Sequence, residues 1–210
     1  MARTVQTLRT RVRQVSPEAP AAAAVAEAAA VLAGKGLVGF PTESYYGLGA
    51  DAREASAVRR VFEVKGRPGS KPLLLLVDSL AMLESLVETI PSQARALMER
   101  HWPGPLTVVL RARPTVPSAV TAGTGTVGIR IPGHPVALAL VRALGAPVTA
   151  PSANPSGAPP PRTARDVVDL FEGKIELVLD AGRTAGGPPS TVVDATVVPP
   201  TILRAGAVTL

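Results

Sequence analysis

Short apolar runs alternate with helix-spaced segments along most of this chain, and that alternation restricts the fold more than any other feature. Residues 37–40, 73–77, 106–110, 127–131 and 148–150 read as short buried strands. Helical spacing covers 54–64, 79–89, 92–101, 136–144 and 163–171. Ahead of them, Ser16-Pro17-Glu18 reads as a helix start: a capping hydroxyl, a first-turn proline and an acid at the positive dipole end. That alanine-rich helix is expected to run to about Ala33 and to stop at Gly34 and Gly36. The last third turns to strand, at 176–179, 191–197 and 202–204, without helices between the final strands. This order predicts an α/β fold in which a twisted sheet of mixed parallel and antiparallel strands is covered by helices.

With 210 residues, 46% of them apolar, the chain can bury one substantial core, so we expect a single domain over 1–210. An N-terminal strand is expected at about 3–15 and a motif-bearing core at about 16–206. No cysteine is present, which excludes disulfides, thiolate metal sites and thiol nucleophiles and points to a reducing compartment. The first fifteen residues carry Arg3, Arg9, Arg11 and Arg13 but lack the apolar centre of a secretory signal. The longest apolar runs are too short to cross a bilayer. The expectation is a soluble, cytoplasmic protein with no membrane partner. A formal charge of +6 favours anionic partners without locating a site. Three Phe, two Tyr and one Trp leave few stacking platforms of the kind RNA-binding modules use.

The most pointed cluster is KGRPGSKP, residues 65–72, which holds two of the four lysines of the chain and no acid. Lys65 alone can be read as a cation on the negative end of the preceding helix, with Gly66 as its terminator. Arg67 and Lys71 lie beyond that end, where three cations together suit a polyphosphate; both readings stand at this point. The spacing is not that of a Walker loop. FPTESYYGLGADA, residues 40–52, reads as a polar turn closed by glycines and bearing both tyrosines. In TAGTGTVGIRIPGHP, residues 121–135, Arg130 points opposite to Ile129 and Ile131, into solvent or into a cavity. His134 there reads as a turn or helix-capping residue. TAPSANPSGAPPP, residues 149–161, opens from a strand into Ser152, Asn154 and Ser156, short donors and acceptors at a strand end. Ser190-Thr191 and Arg204 add a hydroxyl and a further cation.

Together these pieces resemble the YrdC-like family of threonylcarbamoyl-AMP synthases. The resemblance rests on Pro41-Thr42-Glu43-Ser44, Tyr46-Gly47-Leu48-Gly49, Lys65-Gly66-Arg67-Pro68 with Lys71-Pro72, and Trp102-Pro103-Gly104-Pro105-Leu106-Thr107. It continues through 127–135, Pro151-Ser152-Ala153-Asn154, Ser190-Thr191 and Leu203-Arg204 with Gly206. It implies the YrdC-like fold with a large basic cavity, and an L-threonylcarbamoyladenylate synthase, a nucleotidyltransferase. Such an enzyme condenses L-threonine, bicarbonate and ATP with release of pyrophosphate, for N6-threonylcarbamoyladenosine modification of tRNA. It implies Lys65, Arg67, Ser152 and Asn154 as catalytic residues, and Arg67, Lys71, Thr126, Ser152 and Arg204 as ATP contacts. Ser44, Arg130, Ala150 and Ser190 are implied for threonine, Mg²⁺ as companion of ATP, and tRNA or double-stranded RNA and downstream threonylcarbamoyl-transfer proteins as partners.

Three positions depart from the family pattern: Ser44 stands where a threonine is common and keeps the hydroxyl, Leu76 where some members have a histidine near the amino acid, and Pro160 where some have a serine near the nucleotide. The alternative reading is a non-catalytic RNA-binding module using the same cavity. A carbamoyl-transfer domain of hydrogenase maturation ranks last, because those proteins add cysteine-bearing zinc modules.

Overall fold

A computed structural model describes residues 8–210. The elements, in chain order, are β1 (Arg11–Gln14), α1 (Ala22–Ala33), β2 (Val38–Pro41), β3 (Tyr46–Gly49), α2 (Ala55–Lys65), β4 (Leu74–Leu76), α3 (Leu80–Leu86), α4 (Ser92–His101) and β5 (Leu106–Arg111). There follow α5 (Ser118–Thr121), β6 (Thr126–Arg130), α6 (Pro135–Leu144), β7 (Val148–Thr149), α7 (Ala164–Phe171), β8 (Leu177–Asp180), β9 (Thr191–Asp194) and β10 (Thr201–Arg204). The fold is mixed α/β, and its strands divide between two sheets: one of four strands in the order β1-β8-β2-β3, one of six in the order β10-β9-β5-β6-β4-β7. Both mix directions. β1 and β2 run parallel to β8, while β3 returns antiparallel to β2. In the larger sheet β5–β9 and β4–β6 are parallel, and β5–β6, β4–β7 and β9–β10 antiparallel.

Period-two alternation gives the larger sheet two unlike faces. Leu75, Leu106, Val108, Leu110, Val127, Ile129 and Val193 enter the main apolar core with Val58 and Val61 of α2. The residues between them (Thr107, Val109, Thr126, Gly128, Arg130) face the other way. A second core joins α1 and α6 to the smaller sheet through Ala28, Leu32, Val38, Phe40, Val136, Leu140, Leu177 and Leu179. Leu76 is wholly buried there.

Several boundaries differ from the sequence reading. α1 starts at Ala22, not at Pro17: Pro20 has no N–H for the Ser16 carbonyl and disfavours a helical Ala19. The Ser16 hydroxyl instead accepts from Ala19 N at 3.1 Å in a turn. The glycine-containing stretch Tyr46–Gly49, read as part of a turn, is a fully buried strand. Its lack of side chains is what the packing requires, since a Cβ on Gly49 would lie 2.9 Å from the Phe40 ring. The short α5 had no sequence expectation. β1 is confined to Arg11–Gln14 and forms an edge, where Arg13 pairs with Glu27 at 2.7 Å and Arg11 pairs with the same carboxylate. Residues 3–7 of the expected N-terminal strand lie outside the described residues. Among the described residues, no helix is long and apolar enough to cross a membrane.

His134 caps α6, its Nδ1 accepting from Val136 N at 3.2 Å, which requires the neutral ring. Burial lowers its pKa, opposed by the charges of Glu43 and Glu18. Below the ordinary histidine value of 6.5 the unfolded chain therefore takes up the proton before the folded one, and stability falls as pH drops through the lowered value. His134→Asn, which keeps a capping acceptor, should remove that part of the slope in thermal melts taken across this range. An unchanged slope would contradict the assignment.

Candidate active site

The second face of the six-stranded sheet is the floor of a cavity of about 550 Å³. Thr107 and Val109 of β5, Thr126, Gly128 and Arg130 of β6, Leu74 of β4, Val192 of β9 and Arg204 of β10 line it from below. The walls come from Thr42 and Ser44 to Gly47 around the β2–β3 turn, Arg67 and Pro72 after α2, Ala150 to Ser152 after β7, and Pro189-Ser190 before β9. Three arginines and no acid are among the lining residues.

Arg130 is 5% exposed, so its charge must be met inside the protein. Its Nη2 lies 3.3 Å from Glu43 Oε2 and its Nη1 donates to Oε1 at 3.4 Å, both long for such a pair. Glu43 Oε1 also accepts from Gly133 N at 2.8 Å. Among the described residues, Arg130 Nε and Glu43 Oε2 are buried without a hydrogen-bond partner. Burial depresses the Arg130 pKa while Glu43 raises it; a guanidinium stays charged in either case. The pair is incompletely satisfied and leaves Arg130 with capacity for another anion.

Arg204 donates from Nη2 to Ser190 O at 2.7 Å and to Ser190 Oγ at 3.1 Å, and that hydroxyl meets Thr107 Oγ1 at 2.9 Å. Its pKa is lowered by burial and then by the charge on Arg130, so the two guanidinium groups act on one region of space. Arg67 folds back on its own loop, Nη2 donating to Pro72 O at 2.8 Å and Nε to Lys71 O at 3.2 Å. Burial lowers its pKa as well.

Lys65 is placed differently. It ends α2, where Gly66 adopts the left-handed conformation (φ 57°) and turns the chain away. The side chain is 3% exposed, and its Nζ donates to the carbonyls of Ser152 and Asn154, both at 2.5 Å. The Lys65 carbonyl accepts from Ser156 N at 2.7 Å. Desolvation, with the Arg67 charge second, brings the ammonium down to about 8, so it is protonated at neutral pH. Lys65 therefore clamps the loop that carries Ser152 and does not itself line the cavity. Asn154 is buried in the same loop, with Nδ2 donating to Pro155 O at 3.0 Å and Ala158 O at 2.6 Å and Oδ1 buried without a partner among the described residues. Lys71 is exposed, outside the cavity lining.

Of the residues singled out in the sequence, the structure thus brings Ser44, Arg67, Thr126, Arg130, Ala150, Ser152, Ser190 and Arg204 around one cavity. Lys65 and Asn154 stand behind its wall and Lys71 outside it. Thr107 and Gly128 were not singled out as site residues. Alternation could have found Thr107, a hydroxyl between the inward Leu106 and Val108. The Glu43–Arg130 pair spans 87 residues and had no local signal. Pro160 lines the cavity, whereas Leu76 lies in the apolar core. Among the described residues, no group of three or more His, Cys, Asp or Glu could hold a metal. No carboxylate lines the cavity among the described residues and Glu43 is engaged by Arg130, so these side chains do not fit a resident Mg²⁺ site.

Fold and cavity define a mixed α/β protein with a cavity whose lining includes Arg67, Arg130 and Arg204. A family model for the Sua5/YciO/YrdC domain, described as telomere recombination, matches residues 30–206. A threonylcarbamoyl-AMP synthase of Pyrococcus abyssi is 48% identical over 174 residues, covering 83% of this chain and 51% of that protein. One of the same name from Thiobacillus denitrificans is 40% identical over 159 residues, covering 76% and 84%. The structure of P. abyssi Sua5 complexed with L-threonine superposes with a TM-score of 0.90 at 45% identity, over 94% of this chain and 58% of that one. The chain belongs to the Sua5/YciO/YrdC family. It spans about half the length of several curated relatives that it matches.

Replacing Lys65 by Met removes a charged donor from two buried carbonyls, and should cost about 2–4 kcal/mol of stability in urea unfolding. An unaltered unfolding midpoint would refute the clamp.

Proposed function

We propose that this chain is an L-threonylcarbamoyladenylate synthase, a nucleotidyltransferase that serves N6-threonylcarbamoyladenosine formation in tRNA. The observation that carries the reading is Arg130: a buried, under-partnered guanidinium on the same strand as Thr126, in one cavity with Arg67 and Arg204. Arg67, Thr126, Ser152 and Arg204 hold ATP, with Lys71 at the approach to the cavity. Ser44, Arg130, the backbone at Ala150, and Ser190 hold threonine. Of the four residues given catalytic work by the resemblance, Arg67 and Ser152 act on the nucleotide. Lys65 and Asn154 act through the loop they shape.

The threonine amine adds to the carbon of bicarbonate and water leaves, giving a carbamate. A carbamate oxygen then forms a bond to the α-phosphorus of ATP as the bond to the bridging oxygen breaks, and pyrophosphate departs with that electron pair. No enzyme nucleophile takes part, in keeping with the absence of cysteine. The protein contributes positioning, and fixed cations where phosphate charge develops. Mg²⁺ belongs to the ATP substrate, bound by phosphate oxygens and water. The adenylate passes to downstream threonylcarbamoyl-transfer proteins, and contact with tRNA or double-stranded RNA uses the basic surface.

Purified chain should release pyrophosphate from ATP only when L-threonine and bicarbonate are both present. Release without threonine, or none at all, would overturn the reading. RNA binding that falls steeply with salt and ignores threonine would favour the non-catalytic module instead. Arg67→Ala should weaken ATP binding about tenfold or more, the loss of a charge-assisted contact, with the unfolding midpoint little changed. Arg130→Lys keeps the charge but loses the planar fork, and should raise the threonine requirement about tenfold while leaving ATP affinity nearly as it was. Equal effects on both substrates would contradict the division of the cavity.

A further inference from the structure

Gly128 sits at the centre of β6, inside the six-stranded sheet, where glycine weakens a strand. The backbone does not call for it: Gly128 is not among the residues of positive φ. Packing within the protein does not call for it strongly either. A Cβ there would meet Thr107 Cγ2 at 3.3 Å and Val109 Cγ2 at 3.7 Å, so an alanine needs Thr107, whose hydroxyl meets Ser190 Oγ at 2.9 Å, to give by a few tenths of an ångström. What the missing side chain does is open the floor. Gly128 is only half-buried although Val127 and Ile129 beside it are wholly buried, and its register partners Leu74 and Val109 stand as shoulders on either side. Along the strand, Thr126 and Arg130 share its face, each about 7 Å away.

Gly128 thus separates the two ligand regions proposed above, with bare backbone at the point where they join. We infer that the reacting centre lies over Gly128, and that the absent side chain is what lets ATP and threonine occupy the cavity together. This rests on the synthase reading. Threonine, its own carboxylate held at Arg130, points its carbamate oxygen along the floor toward the α-phosphate from the Thr126 end. In-line displacement needs free space on the line joining entering and leaving oxygens, and a side chain at this position would stand on that line.

The test uses Gly128→Ala and Gly128→Val in the full chain, with thermal melts, calorimetric binding of ATP and of L-threonine singly and together, and pyrophosphate release. Gly128→Ala should melt within about 3 °C of the parent protein. It should bind each ligand alone within about threefold, yet turn over about 100-fold more slowly, as expected for a misplaced reacting pair. In Gly128→Val, threonine should give no heat when titrated into ATP-saturated protein, whereas the parent protein binds both at once. Turnover within about threefold of the parent in a folded Gly128→Ala protein would overturn the inference, whatever the fate of the valine variant. So would loss of one ligand alone in either variant, which would place Gly128 in a single subsite. If the parent protein binds both ligands but releases no pyrophosphate, the synthase reading falls while mutual exclusion in Gly128→Val still judges the shared floor. If the parent protein binds neither ligand, both fall.

Discussion

A guanidinium almost wholly removed from water has to be paired, and the pairing of Arg130 with Glu43 joins the two halves of this molecule. Arg130 ends β6 in the six-stranded sheet, whereas Glu43 sits in the turn between β2 and β3 of the four-stranded sheet. Glu43 also receives the amide of Gly133, just before the cap of α6. One carboxylate therefore fixes the cavity floor, the wall above it and the start of a helix. Buried ion pairs contribute little net stability compared with apolar packing, because both partners lose their hydration. At 3.3–3.4 Å, with one nitrogen and one oxygen left over, this pair is far from the optimum for holding a fold together. It is better suited to presenting a charge, and the cavity receives that charge.

The cavity follows from ordinary sheet geometry. Alternation sends every second side chain of β5 and β6 into the core and leaves Thr107, Val109, Thr126, Gly128 and Arg130 facing the cavity, joined by Leu74 of β4 and Val192 of β9. Loops after α2 and β7 then close the sides, and Lys65 fastens one to the other by bonding two carbonyls of the second. The segment between β8 and β9 crosses from the smaller sheet to the larger and delivers Ser190 to Arg204. Tyr45 holds that segment through Gly187 O at 2.9 Å, and Gly186 N donates to Ser44 O at 2.9 Å. Neighbours in the cavity are thus remote in sequence.

That remoteness explains what the sequence could and could not tell. Local signals were readable: α4 and α7 from their spacing, Gly66 as the end of α2, His134 as a helix cap, and the phase of Arg130 opposite to its two isoleucines. The start of α1 was misread because a favourable triplet at Ser16 was weighed without Pro20. The strand β3 escaped because its glycines lower strand propensity, and only the ring of Phe40 explains them. Division into two sheets depends on pairings between strands far apart in sequence, and the inward turn of Lys65 and the choice of Glu43 as partner for Arg130 on contacts 87 residues apart. Such pairings leave no periodic trace. Motif resemblance supplied the list of site residues, and the coordinates separate those on the cavity surface from those that shape it.

The account stands on a triphosphate and an amino acid lying side by side in one arginine-lined hollow. A crystal structure of the chain with a non-hydrolysable ATP analogue and L-threonine would test this directly. The expected result is both ligands on the β6 floor, the amino-acid carboxylate on Arg130 and the phosphates between Arg67 and Arg204. A triphosphate bound on the outer surface, or threonine found away from Arg130, would contradict it.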